Sequence, residues 1–165
     1  MYCIKITALS LWFSSCLMAS QVLAHQYSHA QLNIVKPHIT LPPPGSSVAA
    51  GYLVIENRGA SNEVLLSVDS NISIKTEIHQ VTVENDIARM RQISQGIEIT
   101  EDQIISFEPG KNHIMFIGLK KDLIEGESHT VTLNFKQSGK VSLPFKVWES
   151  NSSGNKTKGR KSHHH

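Results

Sequence analysis

Cysteine is almost missing from this sequence. Of 165 residues only Cys3 and Cys16 carry a thiol, and none follows them. Both fall in an amino-terminal stretch that reads as a secretory signal. "MYCIK" supplies one lysine, "ITALSLWFSSCLMAS" is largely apolar, and "QVLA" ends in Val22-x-Ala24, a small-residue cleavage pattern. The expected mature chain starts at His25 and is exported from the cytoplasm. It has no disulfide, and any metal site must be built without thiolate. The apolar run is too short and wrongly flanked for stable membrane insertion. A rival processing route is lipidation at Cys16, although "FSSC" has Phe13 where such signals usually have leucine.

Methionine and the larger aromatics are scarce as well. Beyond residue 24 the only methionines are Met90 and Met115, and the only Tyr or Trp residues are Tyr27, Tyr52 and Trp148. So few aromatics make a broad aromatic substrate face hard to build. Neither a phosphate-binding glycine loop nor a Ser/His/Asp nucleophile pattern is present, and an enzyme is not expected. A net positive charge is also missing from the body of the chain. Residues 25–150 hold fourteen acidic against eleven basic residues, a net of −3, whereas residues 151–165 hold four basic residues and no acid. Nucleic acid is therefore not an expected partner.

Short strand-like runs fill the remainder: "QLNIVKPHI", "VAAGYLVIENRG", "EVLLSVDS", "KTEIHQVTV", "IARMRQI", "QIISFEPG", "HIMFIGL", "HTVTLNFKQ" and "KVSLPFKVWE". Turn-forming clusters such as "PPPGS", "END", "EPGKN" and "QSGK" separate them. No long amphipathic helix competes. The pattern predicts an all-β fold, a Greek-key antiparallel β-sandwich over residues 25–150. A signal peptide (1–24) precedes it and a disordered basic, histidine-ended tail (151–165) follows. "HQYSHA", residues 25–30, reads as a loose leader.

In "GKNHIMFIGLKKDL", alternation sets His113, Met115 and Ile117 on one face and Ile114, Phe116 and Gly118 on the other. The second face suits a core; the first opens on a histidine and a methionine two residues apart. Met90 lies eleven residues after His79, across a hairpin predicted to turn at Asn85-Asp86. A lone histidine is more often a surface residue than a ligand, and a lone methionine is usually packing. As a set of four, these two imidazoles and two thioethers form a soft donor group suited to Cu(I), whereas zinc or iron would favour carboxylate or thiolate.

The order His79, ten residues, Met90, twenty-two residues, then His113-x-Met115 resembles the periplasmic copper chaperones of the PCu(A)C type. The flanking stretches "PPPGSSVAAGYLVIENRGASNEVLLSV" and "FEPGKNHIMFIGLKKDLIEGE" extend the resemblance over about residues 31–148. It implies a cupredoxin-like β-sandwich with an exposed Cu(I) site made by His79, Met90, His113 and Met115. It also implies delivery of copper to the dinuclear centre in the copper-bearing subunit of cytochrome c oxidase, with a Sco-type thiol protein as partner. Where relatives often add methionines, this chain has Val81 and Ala88.

Histidines elsewhere suggest a secondary Cu(II) site at the ends of the chain. His25 would pair its amine with its imidazole, His29 follows, and the tail ends in His163, His164 and His165. The alternative function is thus a periplasmic Cu(II)-sequestering or resistance protein. His38 and His129 lack partners at useful spacing and are expected to be structural.

Overall fold

Along "SHTVTLNF" and "GKVSLPFKVW" every second side chain from Val131 to Phe135 and from Val141 to Val147 is buried, as the alternation requires. The computed structural model describes residues 26–29 and 31–149. The expected signal peptide and tail lie outside those residues, as do His25 and His163–His165.

The described chain is all-β. Its strands are β1 (Gln26–His29), β2 (Leu32–Thr40), β3 (Val48–Asn57), β4 (Glu63–Ser70), β5 (Ser73–Glu84), β6 (Ile87–Gln92), β7 (Ile97–Ile99), β8 (Ile104–Phe107), β9 (His113–Leu119), β10 (Ser128–Phe135) and β11 (Gly139–Trp148). They hydrogen-bond in the order β6-β5-β9-β3-β2-β11-β10-β4-β7, with β1 on β2 and β8 on β3. Two wings meet at a narrow parallel join, His38–Thr40 of β2 against Lys146–Trp148 of β11. Both wings feed one core. Ile78, Leu53, Ile55, Ile114 and Phe116 come from one, and Leu65, Val131, Leu133, Leu143 and Phe145 from the other. The sheet thus folds on itself as a sandwich.

Nine expected strand runs are present, and two short strands are added. The "loose leader" contributes β1, paired with β2, and the three-residue β7 caps β4. The expectation of purely antiparallel pairing is corrected at the β2–β11 join. A parallel pair there needs no hairpin, because the two strands are far apart in the chain.

Three local devices shape the wing that carries the histidines. The hairpin between β5 and β6 closes on Asn85-Asp86, both with positive φ, which matches the right-handed twist of the flanking strands. A register shift between Val35 and His38, with Lys36 at φ 53, reverses the inside–outside order, so Ile34 and Ile39 both face the core. The third device is Gly51. A Cβ there would stand 2.8 Å from the Phe116 ring, so glycine lets that ring pack flat beneath β3.

Candidate metal centre

β5 and β9 run antiparallel with His79 opposite His113 and Glu77 opposite Met115. β6 pairs outside β5 with Met90 opposite Val81, and β3 pairs inside β9 with Ala50 opposite Met115. Side chains alternate along each strand, so His79, Met90, His113 and Met115 all stand on the outer face of this wing. Ile78, Ile114 and Phe116 form the buried floor behind them. The four residues come from three adjacent strands and over thirty residues of sequence; sheet register brings them together.

Met90, His113 and Met115 line an open groove of about 820 Å³, walled by Leu41, Pro42, Val48, Tyr52, Val81 and Pro109. His79 is not in that wall. It sits beside it, its ring centroid 5.8 Å from that of His113. Exposure is graded across the group. Met90, on an edge strand whose six residues are all exposed, is 52 % exposed, while His113 is 5 % exposed. The expectation of an outward, open His113 is corrected in that respect. It faces outward but is covered, because the turn before it is hooked onto the sheet. The Val81 N–H donates to the Lys111 carbonyl at 3.2 Å, and the Glu108 N–H to that of Asn112 at 2.8 Å. Pro109 and Gly110 of this turn form part of the groove wall.

The hydrogen bonding of the two imidazoles is unequal. His113 Nδ1 is 3.2 Å from the Lys111 carbonyl oxygen. His79 Nε2 is 2.6 Å from Oε2 of Glu77, while His79 Nδ1 is buried with no partner. Glu77 is 7 % exposed and its other oxygen pairs with the Lys75 ammonium. Hydrogen bonds from Lys75 and then His79 hold its carboxyl below the usual range, so it is ionised. Carboxylate was not expected in this neighbourhood. The signal for it was Glu77 two residues before His79, on the same strand face.

The donor chemistry fits a soft ion. Among the described residues no three His, Cys, Asp or Glu side chains converge as a metal-binding group, so any site here depends on the thioethers. The buried His79 Nδ1 has no hydrogen-bond partner in the protein, and a buried polar atom left unpaired is one that a ligand can satisfy.

Two expected structural histidines have clearer surroundings. His38 stacks on Trp148 with centroids 4.7 Å apart and tilts against Tyr52, at the end of the groove. His129 lies 3.3 Å from Glu127, and burial pushes its imidazole down. His29 is exposed and does not join the groove. It pairs with Leu32, which pairs with Asn57, seven residues along β3 from Ala50.

The family model "Putative lipoprotein LpqE-like" matches residues 32–147. A curated relative, "Putative lipoprotein Lxx21020" of Leifsonia xyli subsp. xyli, is 27 % identical over 104 residues, 62 % of this chain. The aligned segment spans 63 % of that relative's length. Among solved structures, the copper-bound PCuAC domain from PmoF2 superposes with a TM-score of 0.65 at 20 % identity, covering 76 % of this chain and 98 % of that one. The solution structure of CuI-DR1885 from Deinococcus radiodurans gives 0.60 at 18 %, covering 81 % and 85 %. These likenesses establish the cupredoxin-like fold of PCuAC domains. With the family match running across both wings of the sandwich and all four outward His and Met residues, the chain belongs to the LpqE-like family and has the fold of PCuAC domains.

Proposed function

We propose that this protein is an extracytoplasmic copper chaperone that carries Cu(I) on His79, Met90, His113 and Met115. The observation that carries the reading is their convergence on one outer face, beside a buried imidazole nitrogen without a partner. Two thioethers and two imidazoles suit a soft d¹⁰ ion with little geometric demand. Copper is cargo here, so the site must both hold and release it. The gradient of exposure suits that task. His113, covered and tied to its own strand, serves as the anchor. Met90, half exposed on the edge strand, is the ligand an incoming acceptor meets first, and ligand exchange proceeds from that side. The copper-bound state of the PmoF2 domain and the Cu(I) state of DR1885 support copper as the metal and Cu(I) as its form.

The acceptor in this reading is the copper-bearing subunit of cytochrome c oxidase, with a Sco-type thiol protein as partner. Support for it is the ligand order and flanking sequence. No catalytic role is assigned. The compartment is the periplasm, reached by the signal over residues 1–24. The lipoprotein names of the family and of the Leifsonia relative favour a second mode of placement, a lipid on Cys16 holding the domain at the membrane surface. Intact-mass analysis of the exported protein separates a chain starting at His25 from one starting at an acylated Cys16. Among the described residues no helix is long and apolar enough to cross a membrane, which says nothing of a β-barrel.

The test of function is an anaerobic Cu(I) competition titration of the exported chain beside Met90→Leu/Met115→Leu. One tight Cu(I) per chain, lost in the double variant, supports the chaperone site. Binding indifferent to both methionines would sink it and turn attention to His25, His29 and His163–His165. Transfer of the bound Cu(I) to a purified oxidase copper-binding domain then tests the acceptor.

A further inference from the structure

The two imidazoles are pinned by the same device in opposite senses. In each case the acceptor comes from the residue two positions earlier in the chain. For His113 it is the backbone carbonyl of Lys111, 3.2 Å from Nδ1. For His79 it is the Glu77 carboxylate, 2.6 Å from Nε2. A carbonyl oxygen only accepts, and so does a carboxylate whose other oxygen is paired with an ammonium. The proton therefore sits on Nδ1 in His113 and on Nε2 in His79, which leaves Nε2 of the first and Nδ1 of the second as lone-pair nitrogens. His79 Nδ1 is the buried atom without a partner.

We infer that Lys75 and Glu77 are positioning residues of the metal site: Lys75 holds the Glu77 carboxylate, Glu77 holds His79 as its Nε2–H tautomer, and Nδ1 is thereby the nitrogen offered to Cu(I). The cargo in this statement rests on the chaperone reading above; the tautomer does not. The same clamp has a second consequence. Each carboxylate oxygen carries a donor, one Lys75 and one His79, which weakens Glu77 as a hard oxygen ligand although it stands opposite Met115. The donor set stays soft with a carboxylate next to it. An outer partner that fixes ring orientation typically changes metal affinity 10–100-fold. His113 has no equivalent weak point, because its pin is backbone and survives any side-chain substitution.

The experiment joins two readouts on the full exported chain. Long-range ¹H–¹⁵N correlation spectra of the metal-free protein report the tautomer of each histidine, and anaerobic Cu(I) competition reports affinity. Wild type should give Nε2–H for His79 and Nδ1–H for His113. Glu77→Leu should lose the Nε2–H preference at His79 only, with Cu(I) affinity falling about 10- to 100-fold. Glu77→Gln leaves one acceptor oxygen for two donors, so the Nε2–H preference at His79 should weaken and Cu(I) affinity should fall, and this variant carries the test if Glu77→Leu does not fold. A wild-type His79 in the Nδ1–H form would overturn the inference, as would a folded Glu77→Leu with unchanged tautomer and affinity. Wild type with the expected tautomers but no Cu(I) uptake would overturn the copper reading and leave the pin standing.

Discussion

Two buried glutamates sit in different parts of this sandwich, and their surroundings are closed in one case and open in the other. Glu63, at the start of β4, accepts the Val64 and Gln137 amides on Oε1 at 2.8 and 2.9 Å and the Ser138 amide on Oε2 at 2.8 Å. Burial pushes its carboxyl up, but the donors from Gln137, Val64 and Ser138 outweigh that and hold it below the usual range. The network ends there, tying the β10–β11 turn to β4. Glu77 is also buried and also held low, by Lys75 and His79, yet its network runs on to an imidazole nitrogen that meets no protein partner. A polar cluster that satisfies itself belongs to the architecture. One that stops an atom short leaves a buried nitrogen without a protein partner, which is costly to keep.

The comparison can be broken at several points. The largest effect expected is on binding. Met90→Leu/Met115→Leu removes both thioethers while conserving apolar volume, so tight Cu(I) uptake should vanish and the urea midpoint should barely move. A large loss of stability instead would make the methionines packing residues. At the closed cluster the pattern should invert. Glu63→Ala strands three amide donors and should cost about 3 kcal/mol in urea denaturation, with Cu(I) affinity unchanged; a copper defect there would erase the distinction. Beneath the metal face, Gly51→Ala drives a methyl into the Phe116 ring, 2.8 Å away, and should cost about 1–3 kcal/mol.

The smallest effect is a pH dependence. The folded Glu63 carboxyl is held below its unfolded value, so its contribution to stability is complete above the unfolded value of about 4.3. It is lost as pH falls through the folded value. Glu63→Gln should flatten that acid limb of a stability–pH profile; an unchanged limb would mean that other carboxylates carry it.

Much of this was legible in the linear chain, for identifiable reasons. Alternation in "TVTLNF" and "GYLVIE" marks strands because burying one face of a pleat needs a period of two. Asn85-Asp86 marks a turn because both residues tolerate positive φ. The outward His113-x-Met115 pair follows from the same period. β1 and β7 were not legible: four and three residues are too short for a pattern, and both exist by pairing to a strand already in place. Glu77 was passed over because a glutamate two residues from a histidine is ordinary in an exposed strand. Its significance comes from being buried, with Lys75 and His79 on its two oxygens.

By itself, then, the sequence determined which residues alternate, where the chain turns, that no cysteine follows Cys16, and where two imidazoles and two thioethers recur at close spacing. These are local or compositional properties, carried by neighbours within a few residues. Only the tertiary structure decided how those side chains meet, since the register of β5 against β9 joins segments more than thirty residues apart. It alone decided that His113 lies covered while Met90 stands exposed, and that the His79 ring is held at one nitrogen and buried without a partner at the other. Burial and hydrogen-bond satisfaction depend on what arrives from distant parts of the chain.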